Sequence, residues 1–371
     1  MKAICTRKDL FHGVQVAGRA VSSRSSLPIL SQLLIRSEGE KLRIAATDLE
    51  IGMECSVPAG VSEDGSLTVP AKLFHEILGA LPDSHIEISS DETNQTTLKC
   101  GTSQYSILGL PPEEFPMLPE VREEASFACS CSILKNAIRN TRFAVSTDES
   151  RARLTGILTT ISADKIRLVS TDTHRLCLYD FKPAEYSGEA QVIIPGKAMG
   201  EVERILGDGE GTVHVAVGKT QVLFTVDETI LVSRLIEGQF LDYERAIPKE
   251  YNRKLTIPTE QLLTGVKRAA IVARESSNKT ILSTTEDKVK ITAESGGIGR
   301  AYEEVDLIRE GEDIEIAFNA SYLTDFLQAL SDDNIEAVEI QLSAPLNAAL
   351  MFPAADQEGV SYSYVLMPMQ I

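Results

Sequence analysis

A run of five residues, Ser170–His174, combines the side-chain types of a hydrolase active site: hydroxyls, a carboxylate and an imidazole. These groups could supply a nucleophile, a base and an orienting acid. A catalytic triad, however, needs its members to converge in space, and neighbours on one strand and turn cannot reach that geometry. The sequence also contains no nucleophile-elbow, P-loop, zinc-peptidase or dinucleotide-binding motif. We therefore keep an enzyme only as an alternative.

The cysteines form no recognisable metal motif. They stand at positions 5, 55, 100, 129, 131 and 177. The closest pair, Cys129 and Cys131, is separated by one residue, and no second pair or paired histidines complete a zinc site. On a strand these two side chains would share one face as small apolar groups. We expect no metal, no cofactor and free thiols in a reducing compartment.

Positive charge gathers on predicted helices of an otherwise acidic chain. Lys and Arg number 36 against 54 Asp and Glu, which gives a formal net charge of −18. In the predicted helix near Leu134, the side chains at helical spacing form a buried stripe, and a basic stripe runs beside it. The basic stripe consists of Lys135, Arg139 and Arg142. Cations on a solvated helix face are ordinary. The equivalent predicted helices of the first and third repeats also carry cations, among them Arg19 and Lys267. This recurrence instead indicates one basic surface that faces a polyanion.

Length and composition favour several globular domains. The chain has 371 residues, of which 43% are hydrophobic and 24% charged, values typical of soluble globular proteins. No apolar run approaches the roughly 18 residues of a spanning helix, and the first residues turn charged before a signal-peptide core could form. We expect a cytoplasmic protein without a membrane partner.

Three blocks recur in the same order with a period near 124 residues. A helix start is followed by an alternating strand and then by a strand that runs into a second helix. The aligned positions are Leu10, Leu134 and Leu262; Ile44, Leu168 and Ile291; and Pro70, Pro195 and Asn319. A period of this length is a whole domain. With charged, proline-containing joints at 119–124 and 247–253, the pattern predicts three duplicated domains, 1–124, 125–252 and 253–371. The predicted class is α+β with antiparallel sheets.

Several segments resemble the bacterial DNA polymerase III beta subunits, the sliding clamps. They are Leu27–Leu30, Ala46–Glu50, Thr171–Leu176 (Thr-Asp-Thr-His-Arg-Leu), Phe240–Tyr243 and Tyr364–Ile371. The resemblance covers the whole chain, in order, with the repeat at the family's period. It implies a protomer of three clamp domains that dimerises head to tail into a ring, with helices lining the hole and antiparallel sheets outside.

The resemblance also implies a non-catalytic processivity factor of the bacterial cytoplasm. Such a protein encircles double-stranded DNA without sequence specificity and tethers the DNA polymerase III catalytic subunit. A clamp loader places it on DNA, and other replication and repair polymerases bind it through clamp-binding peptides. Phosphate contacts of this kind are weak and depend on salt. A repeat-built interaction scaffold that never meets DNA is the second alternative, and the acidic net charge lends it some weight.

Two groups of residues are candidates for contact with DNA. Arg24 and Lys197 fall where the family has basic residues that face DNA. Arg139 and Arg142, with Lys135 beside them, come from charge and helical periodicity alone. An ordinary solvated cation is the alternative for each of them.

The family's ring closes where the first domain of one protomer meets the third domain of the other, edge strand to edge strand. The matching apolar positions are Tyr105, Ile107, Ile271 and Val272. Lys72 is expected opposite Glu303 and Glu304 as a source of ion pairs. Because interfaces and cores have similar compositions, Ile107 and Ile271 could instead belong to the cores of their own domains.

The resemblance further implies a groove for partner peptides between the second and third domains. The matching positions are Leu154, Thr171, His174, Arg175, Leu176, Leu241, Arg245, Ala246, Val365, Met367, Pro368 and Met369. A lining rich in Met and Leu adapts to several apolar anchors, and we expect Arg175 and Arg245 to offer charge at the rim. The sequence departs from the family at Thr173, where Gly is common, and at Gln370–Ile371, where a basic residue and Leu are common. The first change should matter little, whereas the second puts in doubt an ion pair at the terminus and the ranking of partners.

Overall fold

Helices occur in three pairs along the chain. The computed structural model describes residues 1–22, 26–275, 277–355 and 359–371. Within these residues the α-helices are α1 (Arg7–Ala17), α2 (Ala71–Ala80), α3 (Cys131–Arg142), α4 (Gly196–Ile205), α5 (Thr259–Ala273) and α6 (Ala320–Asp332). Each follows a strand directly, as the repeat predicts.

Local chemistry explains where these helices begin. The Thr6 hydroxyl accepts the backbone N–H of Asp9 at 3.1 Å and caps α1. The Asn319 side chain accepts the N–H of Ser321 at 2.9 Å and caps α6. Pro70 precedes α2, where its missing N–H costs nothing. The strand-to-helix positions expected from the repeat are confirmed.

The strands are short and numerous. In chain order they are β1 (Lys2–Thr6), β2 (Gln32–Glu38), β3 (Lys41–Thr47), β4 (Ile51–Pro58), β5 (Gly60–Glu63), β6 (Ser66–Pro70), β7 (His85–Ser90), β8 (Gln95–Cys100), β9 (Ser103–Leu108), β10 (Ala125–Ser130), β11 (Gly156–Ile161), β12 (Ile166–Thr171), β13 (Arg175–Phe181), β14 (Glu185–Ser187), β15 (Ala190–Pro195), β16 (Thr212–Val217), β17 (Gln221–Val226), β18 (Thr229–Arg234), β19 (Arg253–Pro258), β20 (Lys279–Thr284), β21 (Lys288–Ser295), β22 (Gly299–Asp306), β23 (Ile308–Glu310), β24 (Glu315–Asn319), β25 (Ala337–Leu342), β26 (Ala349–Pro353) and β27 (Val360–Leu366).

The chain forms two compact units, and the first contains Met1–Ser132, Ala184–Gly188 and Gly200–Leu235. Its strands make a nine-stranded sheet, β14-β10-β16-β17-β18-β4-β3-β2-β6, and a five-stranded sheet, β5-β1-β7-β8-β9. Helix α1 packs on β3 and β4. Gly13 permits this contact, because a Cβ there would lie 2.5 Å from Cδ1 of Ile44.

The second unit contains Ile133–Pro183, Glu189–Met199 and Ile236–Ile371. It has a nine-stranded sheet, β15-β11-β12-β13-β27-β26-β25-β19-β23, and a four-stranded sheet, β22-β21-β20-β24. Strand β27 pairs with β13 in an antiparallel register, as in the other ladders. Arg175 lies opposite Leu366 at one end of this pairing, and Phe181 lies opposite Val360 at the other. The Phe326 ring of α6 stacks on Tyr364 of β27 at 4.6 Å. The α+β class with antiparallel sheets is confirmed.

The cysteines are free and buried. One detail differs from expectation: Cys131 is the first residue of α3, so it does not share a strand face with Cys129. Burial raises the pKa of the Cys5 thiol to about 12, with a smaller contribution from Asp9. Such thiols are inert small apolar groups. Among the described helices, none has both the length and the apolar character needed to cross a membrane.

Candidate functional site

The segment that resembles a catalytic cluster is a tight turn between β12 and β13. The Thr171 hydroxyl donates to the carbonyl of Arg175 at 2.6 Å and accepts the N–H of Thr173 at 3.0 Å. The Asp172 carboxylate accepts the N–H groups of His174 and Arg175 at 2.9 and 3.1 Å. The polar side chains are therefore used to hold the backbone.

The first repeat contains the same turn. The Thr47 hydroxyl donates to the Ile51 carbonyl at 2.9 Å and accepts the Leu49 N–H at 3.0 Å. Leu49 and Thr173 take the same left-handed conformation, with φ of 76° and 81°. This region disfavours residues with a branched Cβ. Thr173, where the family commonly has Gly, therefore adds backbone strain to the turn. That this replacement matters little for the groove stays a prediction.

Arg175 is the most heavily bonded residue of the turn. Its Nε donates to Asp172 at 3.0 Å, its Nη1 to Asp325 at 2.6 Å and its Nη2 to the Phe143 carbonyl at 2.6 Å. The guanidinium also lies 4.3 Å from the ring centre of Tyr322. We expected Arg175 to offer charge at a rim. The structure corrects this, because only 9% of its side chain is exposed. Its guanidinium is already paired with Asp172, Asp325 and the Phe143 carbonyl.

The guanidinium of Arg175 remains charged in this setting. Burial alone would lower the pKa of Arg175, but the nearby Tyr364 and the carboxylates of Asp325 and Asp172 raise it overall. A buried, fully bonded guanidinium is a rigid element. Arg175 therefore fixes the turn against α6 and the end of α3.

A cavity of about 170 Å³ opens beside this turn. Seven predicted groove residues line it: Thr171, Arg175, Leu176, Leu241, Ala246, Val365 and Met367. The buried side chains of Leu176 and Val365 form its floor, and they belong to an apolar cluster that also contains Leu158 and Val169. Leu241 and Met367 stand at its mouth with 49% and 43% of their surface exposed. Half-exposed apolar side chains above a buried floor suit the capture of apolar groups.

The other five predicted groove residues lie outside this lining. Leu154 is buried, and His174 stacks on Tyr322 with ring centres 6.3 Å apart. Arg245 is exposed and pairs with Asp242 at 2.6 Å. The half-buried Pro368 and Met369 belong to the C-terminal segment.

Two backbone hydrogen bonds hold that C-terminal segment. The N–H of Met367 donates to the His174 carbonyl at 2.9 Å, and the N–H of Met369 donates to the Ala317 carbonyl at 2.7 Å. The first bond joins the end of β27 to the turn. The segment that carries Met367 is thereby fixed beside the cavity.

Three lining residues were missed at the level of sequence: Thr173, Asp242 and Tyr243. Tyr243 packs on the apolar floor, and Nη1 of Arg167 donates to its hydroxyl at 3.4 Å. Asp242 and Tyr243 belong to the segment Phe240–Tyr243, which resembles the family, and they directly follow the predicted groove residue Leu241. That position next to Leu241 was the signal that could have identified them. Thr173 was visible only as a departure from the family pattern.

The predicted DNA-binding residues do not share one environment. Arg142 and Lys197 are exposed and line the same cavity of about 630 Å³, together with the carboxylate of Glu149. Lys135 is half-buried on α3. Arg139 lies on α3 with its guanidinium against Asp333. Arg24 lies outside the described residues.

The predicted interface residues also differ among themselves. Ile107 is buried in its own unit, so its side chain belongs to the core, which was the alternative left open for it. Ile271 is 67% exposed, whereas Tyr105 and Val272 are half-buried. Lys72 is exposed at the beginning of α2, where it lines a cleft with Arg19.

The expected acidic partners of Lys72 already have partners in their own chain. Glu303 accepts two bonds from Arg268, one at 2.6 Å. Glu304 accepts from Lys288 at 3.4 Å and from the Tyr302 hydroxyl. An ion pair with Lys72 would have to compete with these bonds.

The amino-acid sequence matches known protein families over nearly its full length. Three family models match in order: the N-terminal, central and C-terminal domains of the DNA polymerase III beta subunit, over residues 1–119, 129–242 and 244–370. The Beta sliding clamp of Staphylococcus aureus is 33% identical over 362 residues, 95% of this chain and 94% of the relative. The chain belongs to the sliding-clamp family of DNA polymerase III beta subunits.

Solved structures agree with this assignment. The sliding clamp of Bacillus subtilis superposes with a TM-score of 0.94 at 28% identity, covering 100% of this chain and 99% of that chain. The sliding clamp of Pseudomonas aeruginosa bound to griselimycin gives a TM-score of 0.94 at 31% identity over 100% of both chains. The protein is a non-catalytic DNA polymerase processivity factor with an α+β clamp fold of three domains. Both alternatives, an enzyme and a scaffold that never meets DNA, are set aside.

Proposed function

We propose that two copies of this chain close head to tail into a ring around double-stranded DNA, with helices lining the hole. The domains would be 1–124, 125–252 and 253–371. The ring would bind partner peptides in the cavity beside the Thr171–Arg175 turn. The observation that carries the peptide-binding part of this proposal is the cavity itself, with its apolar floor, rigid turn and half-exposed Leu241 and Met367.

Edge strands support the closure of the ring. Strand β9 is the outermost strand of its sheet, and so is β22. Outermost strands present unpaired N–H and C=O groups that another chain can satisfy. Leu108 on β9 and Tyr302 on β22 are exposed, as is Ile271 at the end of α5. The pairing of β9 from one protomer with β22 from its partner would cover all three side chains.

The hole of the ring would face phosphates with Arg142 and Lys197, and with Arg24 and Lys135 in addition. Each phosphate that such a cation neutralises contributes about −0.9 to the slope of log K against log salt. A few contacts of this kind bind DNA weakly, so the ring can slide. Retention on DNA would come from closure of the ring.

The groove would serve several partners in turn. A lining of Leu176, Val365 and Met367 can adapt to different apolar anchors. We propose peptides from the DNA polymerase III catalytic subunit, the clamp loader, and other replication and repair polymerases as occupants, in the bacterial cytoplasm. Affinities near 1 μM, or about −8 kcal/mol, would suit exchange among them.

Two measurements test the proposal. Sedimentation equilibrium should give a dimer, and an Ile271→Asp variant should shift it towards monomer because a charge would enter an apolar contact. A labelled peptide from the clamp-binding segment of the catalytic subunit should bind the wild-type chain and lose affinity in Leu241→Ala. A monomer at all accessible concentrations would contradict the ring. Unchanged binding in Leu241→Ala would contradict the position of the groove.

A further inference from the structure

Asp333, the C-cap residue of α6, lies against the basic face of α3. Only 12% of its side chain is exposed. One carboxylate oxygen accepts from Nη2 of Arg139, and the other accepts from Nδ2 of Asn140 at 2.7 Å. The Arg139 side chain is 28% exposed. The carboxylate thus meets the central cation of the stripe that was expected to face DNA.

The surroundings fix this pair in place. Asn140 is fully buried, its Nδ2 also donates to the Asn136 carbonyl at 2.9 Å, and its own carbonyl accepts the Tyr362 hydroxyl at 2.9 Å. Nη2 of Arg139 donates to Oδ1 of Asn136 at 3.2 Å as well. A pair with these additional bonds keeps its geometry better than an exposed ion pair does. The end of α6 adds negative potential from the helix dipole.

The position of Arg139 differs among the three repeats in the charge of its side chain and of that side chain's partner. In the first repeat it is the neutral Gln15, 124 residues before Arg139. In the third repeat it is Lys267, whose Nζ donates to the neutral amide oxygen of Gln328 at 2.6 Å. Of these three residues, only Lys267 is a charged residue with a neutral hydrogen-bond partner. In the second repeat the charge is present but a carboxylate cancels it.

We propose that the ion pair with Asp333 keeps Arg139 from contacting DNA phosphates and so weakens the binding of the ring to DNA. The inference rests on the proposed function, in which α3 faces the duplex. A phosphate that approaches Arg139 must displace a carboxylate held by Asn140, and it is also repelled by that carboxylate. Asp333 is therefore a positioning residue: it acts on DNA through Arg139.

The test is the salt dependence of binding to a fluorescein-labelled 30-base-pair duplex, measured by anisotropy on the dimer. The variant Asp333→Asn keeps the shape of the side chain and removes its charge. We expect its slope of log K against log salt to become steeper by about 0.9, one additional phosphate. Affinity should then fall about 3.5-fold more than for the wild type between 50 and 200 mM salt.

Matched variants separate this effect from a change in structure. Arg139→Gln in the wild-type background should leave the slope unchanged, and in the Asp333→Asn background it should abolish the gain. Arg142→Gln and Lys197→Gln should each make the slope of log K against log salt shallower by up to about 0.9. If Asp333→Asn does not fold, the single variant Arg139→Gln still tests the proposal.

Two different failures can be told apart. A slope reduced by Arg139→Gln, or unchanged by a folded Asp333→Asn, would overturn the role of Asp333 while leaving the ring intact. If neither Arg142→Gln nor Lys197→Gln changes DNA binding, the proposed DNA-facing surface itself is wrong.

Discussion

Truncation of the two side chains at the mouth of the groove should weaken peptide binding by an amount that their exposure sets. Complete burial of a Leu or Met side chain is worth about 1.5–3 kcal/mol. Leu241 is 49% exposed and Met367 is 43% exposed, so a peptide can bury about half of each. Leu241→Ala or Met367→Ala should therefore cost about 1 kcal/mol of binding free energy, or about fivefold in affinity.

The double variant should lose about 2 kcal/mol, or roughly 30-fold, if the two effects add. Fluorescence anisotropy with a labelled clamp-binding peptide measures this directly. Ile308→Ala is the matched control, because Ile308 is 72% exposed in the same unit and lies outside the groove lining. Its affinity should equal that of the wild type.

A double variant that binds the peptide as tightly as the wild type would refute this reasoning about the groove. So would an equal loss in Ile308→Ala, since it would show a general effect of removing exposed apolar surface. Thermal denaturation of each variant checks that folding is unchanged.

Three further predictions concern stability and thiol chemistry. Thr173→Gly and Leu49→Gly should each raise the free energy of unfolding by about 0.5–1 kcal/mol, because both residues have a left-handed φ and glycine relieves that strain; lower melting temperatures in both would contradict the strain. Burial alone would raise the pKa of Asp180, but hydrogen bonds from Arg167 and a neighbouring lysine hold it below its usual range. Because the pKa is lower in the folded state, the ionised carboxylate of Asp180 stabilises the protein above about pH 4, and this stabilisation is lost as the pH falls further. Asp180→Asn should therefore flatten the acid side of the curve of unfolding free energy against pH. An unchanged curve would contradict this prediction. Cys5, with its pKa raised to about 12, should react with a thiol reagent at pH 8 only after unfolding, and rapid reaction of the native protein would disagree.

Much of the fold could be predicted because its signals are local. A cap such as Asn319 or a proline such as Pro70 marks a helix start through bonds to residues only a few positions away. The alternation around Ile44 and Leu168 marks strands in the same way. Because the chain repeats these signals three times, errors at one copy could be corrected from the others.

The candidate sites were harder to predict, because their chemistry depends on residues far apart in sequence. Arg175 meets Asp325 from 150 residues away, and Arg139 meets Asp333 from 194 residues away. Helical periodicity assigned Arg139 to a basic helix face, and the family resemblance assigned Arg175 to a groove, but neither signal could show which residue lies opposite. The same limit applies to Ile107, since a buried position in a core and one in an interface have the same residue type.

The most direct test of the sliding-clamp account is retention on DNA. The labelled protein would be loaded by a matched clamp loader onto nicked circular plasmid, and half of the sample would then be linearised. Gel filtration in high salt removes protein held only by electrostatic contacts. We expect retention on the circle and loss from the linear DNA, because a closed ring can leave only over an end. Equal loss from both forms, with an active loader, would contradict the ring.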